Sequence, residues 1–436
     1  MIRFTRYLWS TSLLIFCSSG CQFLIDPDLD SQVEGYTDKL SYNVGDTVRV
    51  FLTSDSVYNA ALIGLYNLTG ENFDIVQTAL AMQSMSNEVP WATGLGYDLS
   101  FEYILPALPS GVYLWEHSVP FIVKAPSQTT RIMVLYPSNT AAAYNFDGGK
   151  SLYGYNSSDN TAADSVSFQR RIPLERSAVE CLRAFANTSG YDFGYLIDRD
   201  MDDSENLTGV ELLIIAGHSE YWTRKARVNF DKFIASGGHA LILSGNTMWW
   251  QVRYSADGTR LIAYKSAGED PIDDPLLATI TWNDHQLAYP IIPSIGADFD
   301  RGGYGLKPDD SGWDGLKLID ISAPYLAGTG IKVGEVLSIP SREYDGTIIA
   351  GFDSLGYPYP DTAALSFEQI KIIGYDIGFR GSPTVATWIE FKKAQNSGII
   401  INVATMNWCS SSGIGGLDGE KIRQITFNMI DYLLGL

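Results

Sequence analysis

The chain has 436 residues, of which 45% are hydrophobic and 18% charged, and it carries a formal net charge of −20. That balance describes a folded protein long enough for two or three domains with cores of their own, and it excludes a disordered chain. The acidic field repels a phosphate backbone, so no nucleic-acid partner is expected, and no run of like charges marks a disordered acidic tail.

The N-terminus reads as an address. Arg3 and Arg6 form a positive start, Leu8 to Phe16 is an apolar stretch too short to span a bilayer, and Ser18-Ser19-Gly20 precede Cys21. Residues 1–20 are therefore expected to be a signal peptide of lipoprotein type, with Cys21 lipidated as the new N-terminus. Ser18 stands where Leu is usual, and ordinary cleavage after Gly20, giving a secreted protein, is the alternative. The expected location is exported, periplasmic or cell-surface, with membrane contact only through the lipid. Of the four cysteines, Cys17 lies in the signal, leaving Cys181 and Cys409 either to pair after export or to remain buried thiols.

Residues 21–34 read as a tether with Pro and Asp breakers. From 35 to 125 short alternating strands and turns follow, among them Thr47 to Leu52 after an Asn-Val-Gly-Asp turn, Ala61 to Tyr66, Val112 to Trp115 and Phe121 to Val123. Short strands at such intervals predict a β-sandwich domain. After Pro126 the pattern changes. Ile132 to Tyr136, Val210 to Ala216 and Ala240 to Leu243 are continuous apolar runs, as in strands buried on both faces. Leu174 to Phe185, Thr223 to Ala235 and Leu417 to Leu433 have helical spacing, and Val385 to Ile389 and Ile399 to Val403 read as further strands. This alternation predicts an α/β domain over 126–436, a parallel sheet with flanking helices. Residues 255–365, rich in Gly, Pro and Asp, break the rhythm and read as an insertion with short strands.

Four segments of the second domain hold candidate chemistry. Gly217-His218-Ser219-Glu220-Tyr221-Trp222-Thr223 follows one buried strand and precedes a helix, where open α/β sheets build their sites. Glu220 and Thr223 there either belong to a site or only serve the helix N-terminus. Ser244-Gly245-Asn246-Thr247 follows the next strand, so Asn246 either lies beside His218 or belongs to a plain turn. Tyr144 and Tyr153 flank Asn145-Phe146-Asp147-Gly148-Gly149 after the first strand, and Asp376 closes Gly374-Tyr375-Asp376 near the end of the insertion. No Ser or Cys stands in a nucleophile elbow, and there is no H-E-x-x-H, P-loop or G-x-G-x-x-G motif. With four His, at 117, 218, 239 and 285, a His-rich zinc site is excluded.

Taken together, AYN…GGKSLY, GHSEYW and SGNTMWW resemble the C-terminal domain of the N,N-dimethylformamidase large (beta) subunit family, from about Thr130 onward. The preceding GYTDKLSY, NVGDTV and PSGVYL segments are similar to the sandwich that its relatives carry. The resemblance implies a glutamine-amidotransferase/flavodoxin-like fold and a ferric iron held by Tyr144, Tyr153 and Glu220. It implies catalytic roles for His218, Asn246 and Asp376, the last standing where the family has a glutamate. Phenolates and a carboxylate are hard ligands suited to Fe(III), which can polarise an amide carbonyl and acidify water. The implied activity is hydrolysis of a small amide or related C–N bond. The implied partners are a small amide substrate and a small subunit or further copies of the chain.

Two other readings use the same residues. In one, the protein is a non-catalytic, surface-anchored binder of a glycan or other ligand, and the tyrosines are packing. In the other, Glu220 and Asp376 are the paired carboxylates of a glycan hydrolase.

Overall fold

The computed structural model describes residues 33–126, 129–305 and 313–436. The expected leader, Cys21 and the tether as far as residue 32 lie outside the described residues. Thr47–Ser54 alternates buried and open side chains and pairs antiparallel with Val33–Thr37 and Phe101–Ile104. A second sheet holds Ser41–Tyr42, Val119–Val123, Gly111–Trp115, Tyr58–Asn67 and Asn72–Leu80 in that order. Val48, Leu52, Ile63, Leu65, Trp115 and Phe121 from the two sheets share one core.

The largest sheet begins with Phe193–Ile197, Ile132–Tyr136, Leu212–Ala216, His239–Leu243 and Ile399–Asn402, each parallel to its neighbour. Side chains of these strands alternate between two cores. Val134, Ile214 and Leu241 pack with Leu182 of helix Arg176–Ala186 and Met429 of helix Gly419–Leu434, while Leu135, Ile215 and Ile242 pack with Phe230 of helix Arg224–Ala235. Burial on both faces is why these strands read as unbroken apolar runs.

The expected fold needs correction as a whole. Strands make up 34% of the protein and helices 21%, in several mixed sheets, which is not a parallel-sheet, glutamine-amidotransferase/flavodoxin-like α/β fold. Beyond Ile399–Asn402 the large sheet turns antiparallel, through Pro383–Lys392, Gln369–Phe379, Gly303–Tyr304 and Glu343–Gly346. The reason lies in a short connection. Arg380-Gly381-Ser382 joins two long strands, with Gly381 at φ +74°. A turn that short cannot return the chain for a parallel pairing. Val385 to Ile389 is thus the middle of a hairpin arm, its direction hidden in a mostly apolar run.

Residues 255–365 are woven into these sheets. Trp313–Leu318 pairs with both Val336–Ser341 and Gln369–Phe379. Arg260–Ile262 joins Ser165–Ser167, Trp250–Tyr254 and Tyr221–Thr223 in a small separate sheet. Among the described residues no helix is long and apolar enough to cross a membrane.

Candidate active site

Parallel pairing in register brings the carboxyl ends of Ile132–Tyr136, Leu212–Ala216 and His239–Leu243 to one edge. The three segments that leave this edge carry Tyr144 and Tyr153, Glu220, and Asn246. Gly217 makes the first turn with φ +75°, and a Cβ there would lie 2.8 Å from the backbone of Ser177 and Ala178. Only glycine fits that conformation and that approach. Asn246 sits at φ +51°, a left-handed conformation that asparagine tolerates better than most residues. The two turns are joined by backbone hydrogen bonds from Met248 N–H to Ser219 O at 2.9 Å and from Trp250 N–H to Glu220 O at 3.0 Å.

Glu220 is not a helix cap. Thr223 fills that place, its Oγ1 accepting from the N–H of Ala226 at 3.0 Å. The Glu220 carboxylate, 2% exposed, instead receives the Tyr144 hydroxyl at 2.8 Å and the Tyr153 hydroxyl at 3.0 Å, and the two phenol oxygens lie 3.0 Å apart. Tyr144 comes from the end of helix Ser138–Tyr144, and Tyr153 follows a loop turned by Gly148 and Gly149.

A buried guanidinium sets the shape of that loop. Arg170 donates to the carbonyls of Ala142, Asn145, Asp147 and Lys150 at 2.8–3.2 Å, and also to that of Ser167. Arg170→Met removes every one of these donors while keeping much of the volume. Because hydrogen bonds to charged groups contribute about 1.5–3 kcal/mol each, the variant is expected to lose at least about 2 kcal/mol of stability. Denaturant titration measures this, and an unchanged midpoint would show that the loop holds itself.

Beside the tyrosine–glutamate cluster lies a second one. His218 Nε2 is 3.0 Å from Glu343 Oε2 and 3.6 Å from Glu220 Oε2, near enough for ion pairing but without a well-aligned hydrogen bond. Asn246 Nδ2 donates to Glu343 Oε2 at 3.0 Å, while Asn246 Oδ1 is buried without a protein partner. Burial alone would lower the imidazole pKa, but the charges of Glu343 and Glu220 outweigh it and push His218 up to about 9. Burial raises Glu220, against the pull of His218, whereas His218 and Asn246 hold Glu343 below the usual carboxylate range despite its burial. Burial, reinforced by the charge of Glu220, drives Tyr144 and Tyr153 well above the ordinary phenol value.

Five of the six residues singled out from the sequence, Tyr144, Tyr153, His218, Glu220 and Asn246, therefore meet in this cluster. Asp376 is placed differently. It lies within strand Gln369–Phe379 opposite Ala386, its carboxylate accepts from the N–H of Ile377, and its charge is felt by the Tyr344 phenol. The carboxylate that faces His218 and Asn246 is Glu343. Sequence reasoning passed over Glu343 and Lys265. It counted Tyr221 in the candidate turn with His218 and Glu220 but gave it no role. Glu343 and Lys265 lie in the stretch read as an insertion, where no motif marks them.

The donor set suits a hard cation. Three oxygens converge in a buried place, and without a positive ion their burial pushes both phenols toward the neutral form. A bound cation reverses that preference. Among the described residues there is no group of three His, Cys, Asp or Glu that could hold a metal.

The fold and site define a β-rich protein with an enclosed two-tyrosine, one-glutamate centre at the edge of a mixed sheet. The family model described as N,N-dimethylformamidase beta subunit-like, C-terminal, matches residues 69–418, and the chain belongs to that family. The family points to an amidohydrolase. The match begins within the second sheet of the sandwich, well before Thr130. Comparison with curated proteins finds no match. Among solved structures, the protein is similar to the mmIFT52 N-terminal domain at 14% identity and a TM-score of 0.32, over 59% of this chain and 90% of that one. It is also similar to a ThuA-like protein from Bacteroides uniformis ATCC 8492 at 9% identity and a TM-score of 0.34, over 71% of this chain and 93% of that one. Neither likeness is close enough to carry an argument.

Proposed function

We propose that the protein is an exported, iron-dependent hydrolase of a small amide or related C–N bond. The observation that carries this reading is the meeting of Tyr144, Tyr153 and Glu220 oxygens within 2.8–3.0 Å of one another. These three residues would hold ferric iron. When bound, the ion supplies Lewis acidity toward an amide oxygen and makes water a stronger acid.

The chain's own residues supply the rest. The Glu343 carboxylate takes one proton from the attacking water as the water oxygen bonds to the carbonyl carbon. The C–N bond then breaks and the leaving nitrogen takes up that proton. His218 orients Glu343 and offers a donor to developing negative charge, and Asn246 holds Glu343 with its side-chain N–H. Glu343 thus takes the role that the sequence reading gave to Asp376.

The Cys181–Cys409 disulfide supports export, because such bonds persist in oxidising compartments. The reading includes Cys21 as the lipid-bearing N-terminus, and mass spectrometry of the N-terminal peptide tests that part by itself. The central test is metal analysis of protein purified without chelators, together with a panel of small amides. About one iron per chain and a visible phenolate-to-iron band are expected, and Glu220→Ala should lose both. A colourless, iron-free wild type that still turns over amides would rule out the iron, whereas an iron-loaded protein inert on every amide would rule out the hydrolase.

A further inference from the structure

The amine of Lys265 ends among three aromatic rings. Its Nζ lies 3.4 Å from the centroid of Tyr153, 4.9 Å from that of Trp250 and 5.2 Å from that of Tyr221. It donates to Tyr221 Oη at 2.8 Å and to the Leu152 carbonyl at 3.0 Å. Tyr221 in turn donates to Tyr153 Oη at 2.6 Å. Lys265 has φ +58°, a left-handed conformation unfavourable for a non-glycine residue, and such strain persists where the surroundings over-determine it. A cation, a phenol and a second phenol thus form a directed chain that ends on one of the three convergent oxygens.

We infer that Tyr221 and Lys265 form an outer arm that tunes the electron density of Tyr153 as an iron ligand, an inference that rests on the iron reading above. The Tyr221 O–H withdraws density from the Tyr153 oxygen. The Lys265 ammonium strengthens that donor and, lying over the Tyr153 ring, stabilises negative charge on the ring itself. Hydrogen bonds to first ligands set a metal's donor strength and affinity in this way. Neither residue needs to touch substrate, so both are positioning residues that act through Tyr153.

The test uses full-length wild type, Tyr221→Phe and Lys265→Met, each loaded with ferric iron. Iron content, the absorption band and the resonance Raman phenolate modes are read on all three. Both variants are expected to keep iron, with the charge-transfer band moved to longer wavelength because an unrelieved phenolate donates more readily. Tyr221→Phe keeps the ring and removes only the hydroxyl, so it carries the test if Lys265→Met fails to fold. A band that stays in place in iron-loaded Tyr221→Phe overturns the inference and leaves the iron reading intact. A wild type with neither iron nor band overturns both, and the two failures are told apart by the wild type alone.

Discussion

Glu343→Gln is expected to slow amide hydrolysis by about 100- to 10,000-fold with iron still bound, the usual cost of losing a general base. The change keeps the shape of the side chain and its contact with Asn246 while removing the negative charge that faces His218 at 3.0 Å. Asp376→Asn is the matched control. Its carboxylate accepts from the N–H of Ile377 within a strand, a place where substitution shifts stability by about 0.5 kcal/mol or less and leaves the rate alone. Steady-state kinetics on whichever amide the panel identifies, with iron content measured on each variant, separates the two carboxylates. A slow Asp376→Asn beside a fast Glu343→Gln would return the role of base to Asp376. Two fast variants would leave His218 as the next candidate.

Replacing Cys181 and Cys409 together by Ala is expected to cost about 2–5 kcal/mol of stability, the range for loss of a native disulfide. The bond closes a separation of 228 residues, with the two Cα atoms 4.7 Å apart. It ties helix Arg176–Ala186 to the loop after strand Ile399–Asn402. That helix supports the site directly, since Ser177 Oγ accepts the N–H of His218 at 2.7 Å. The double variant should therefore unfold at lower denaturant and also hold His218 less firmly. Equilibrium unfolding with and without reductant measures the first effect. Two free thiols in native protein, or an unchanged midpoint for the double variant, would remove the bond from the account.

The sequence by itself determined which segments are buried strands and which residues gather at their ends. Ile132 to Tyr136 and Leu212 to Ala216 are wholly buried, and runs like these announce themselves because a strand covered on both faces has no polar side. Gly217 announced a turn because only glycine tolerates that approach to Ser177. His218, Glu220 and Asn246 were legible because each sits within four residues of such a strand, whereas Tyr144 and Tyr153, 8 and 17 residues beyond Tyr136, were marked by the family resemblance.

Only the tertiary structure decided the direction of the later strands, the partners of Glu220 and the identity of the facing carboxylate. A mostly apolar run such as Val385 to Ile389 has the same composition in either direction, so it gave no sign that Pro383–Lys392 returns antiparallel beside Ile399–Asn402. Glu220 could cap a helix or meet two phenols, and the choice depends on Thr223 capping the helix instead. Glu343 reaches His218 from 125 residues along the chain, and Lys265 reaches Tyr221 from 44 away. Both come from a stretch without periodicity. Their positions follow from sheet pairings such as Tyr344 with Thr405 and Arg260–Ile262 with Trp250–Tyr254. Local sequence records burial and turn chemistry, whereas which distant carboxylate or amine closes a site depends on long-range pairing, which leaves no short motif.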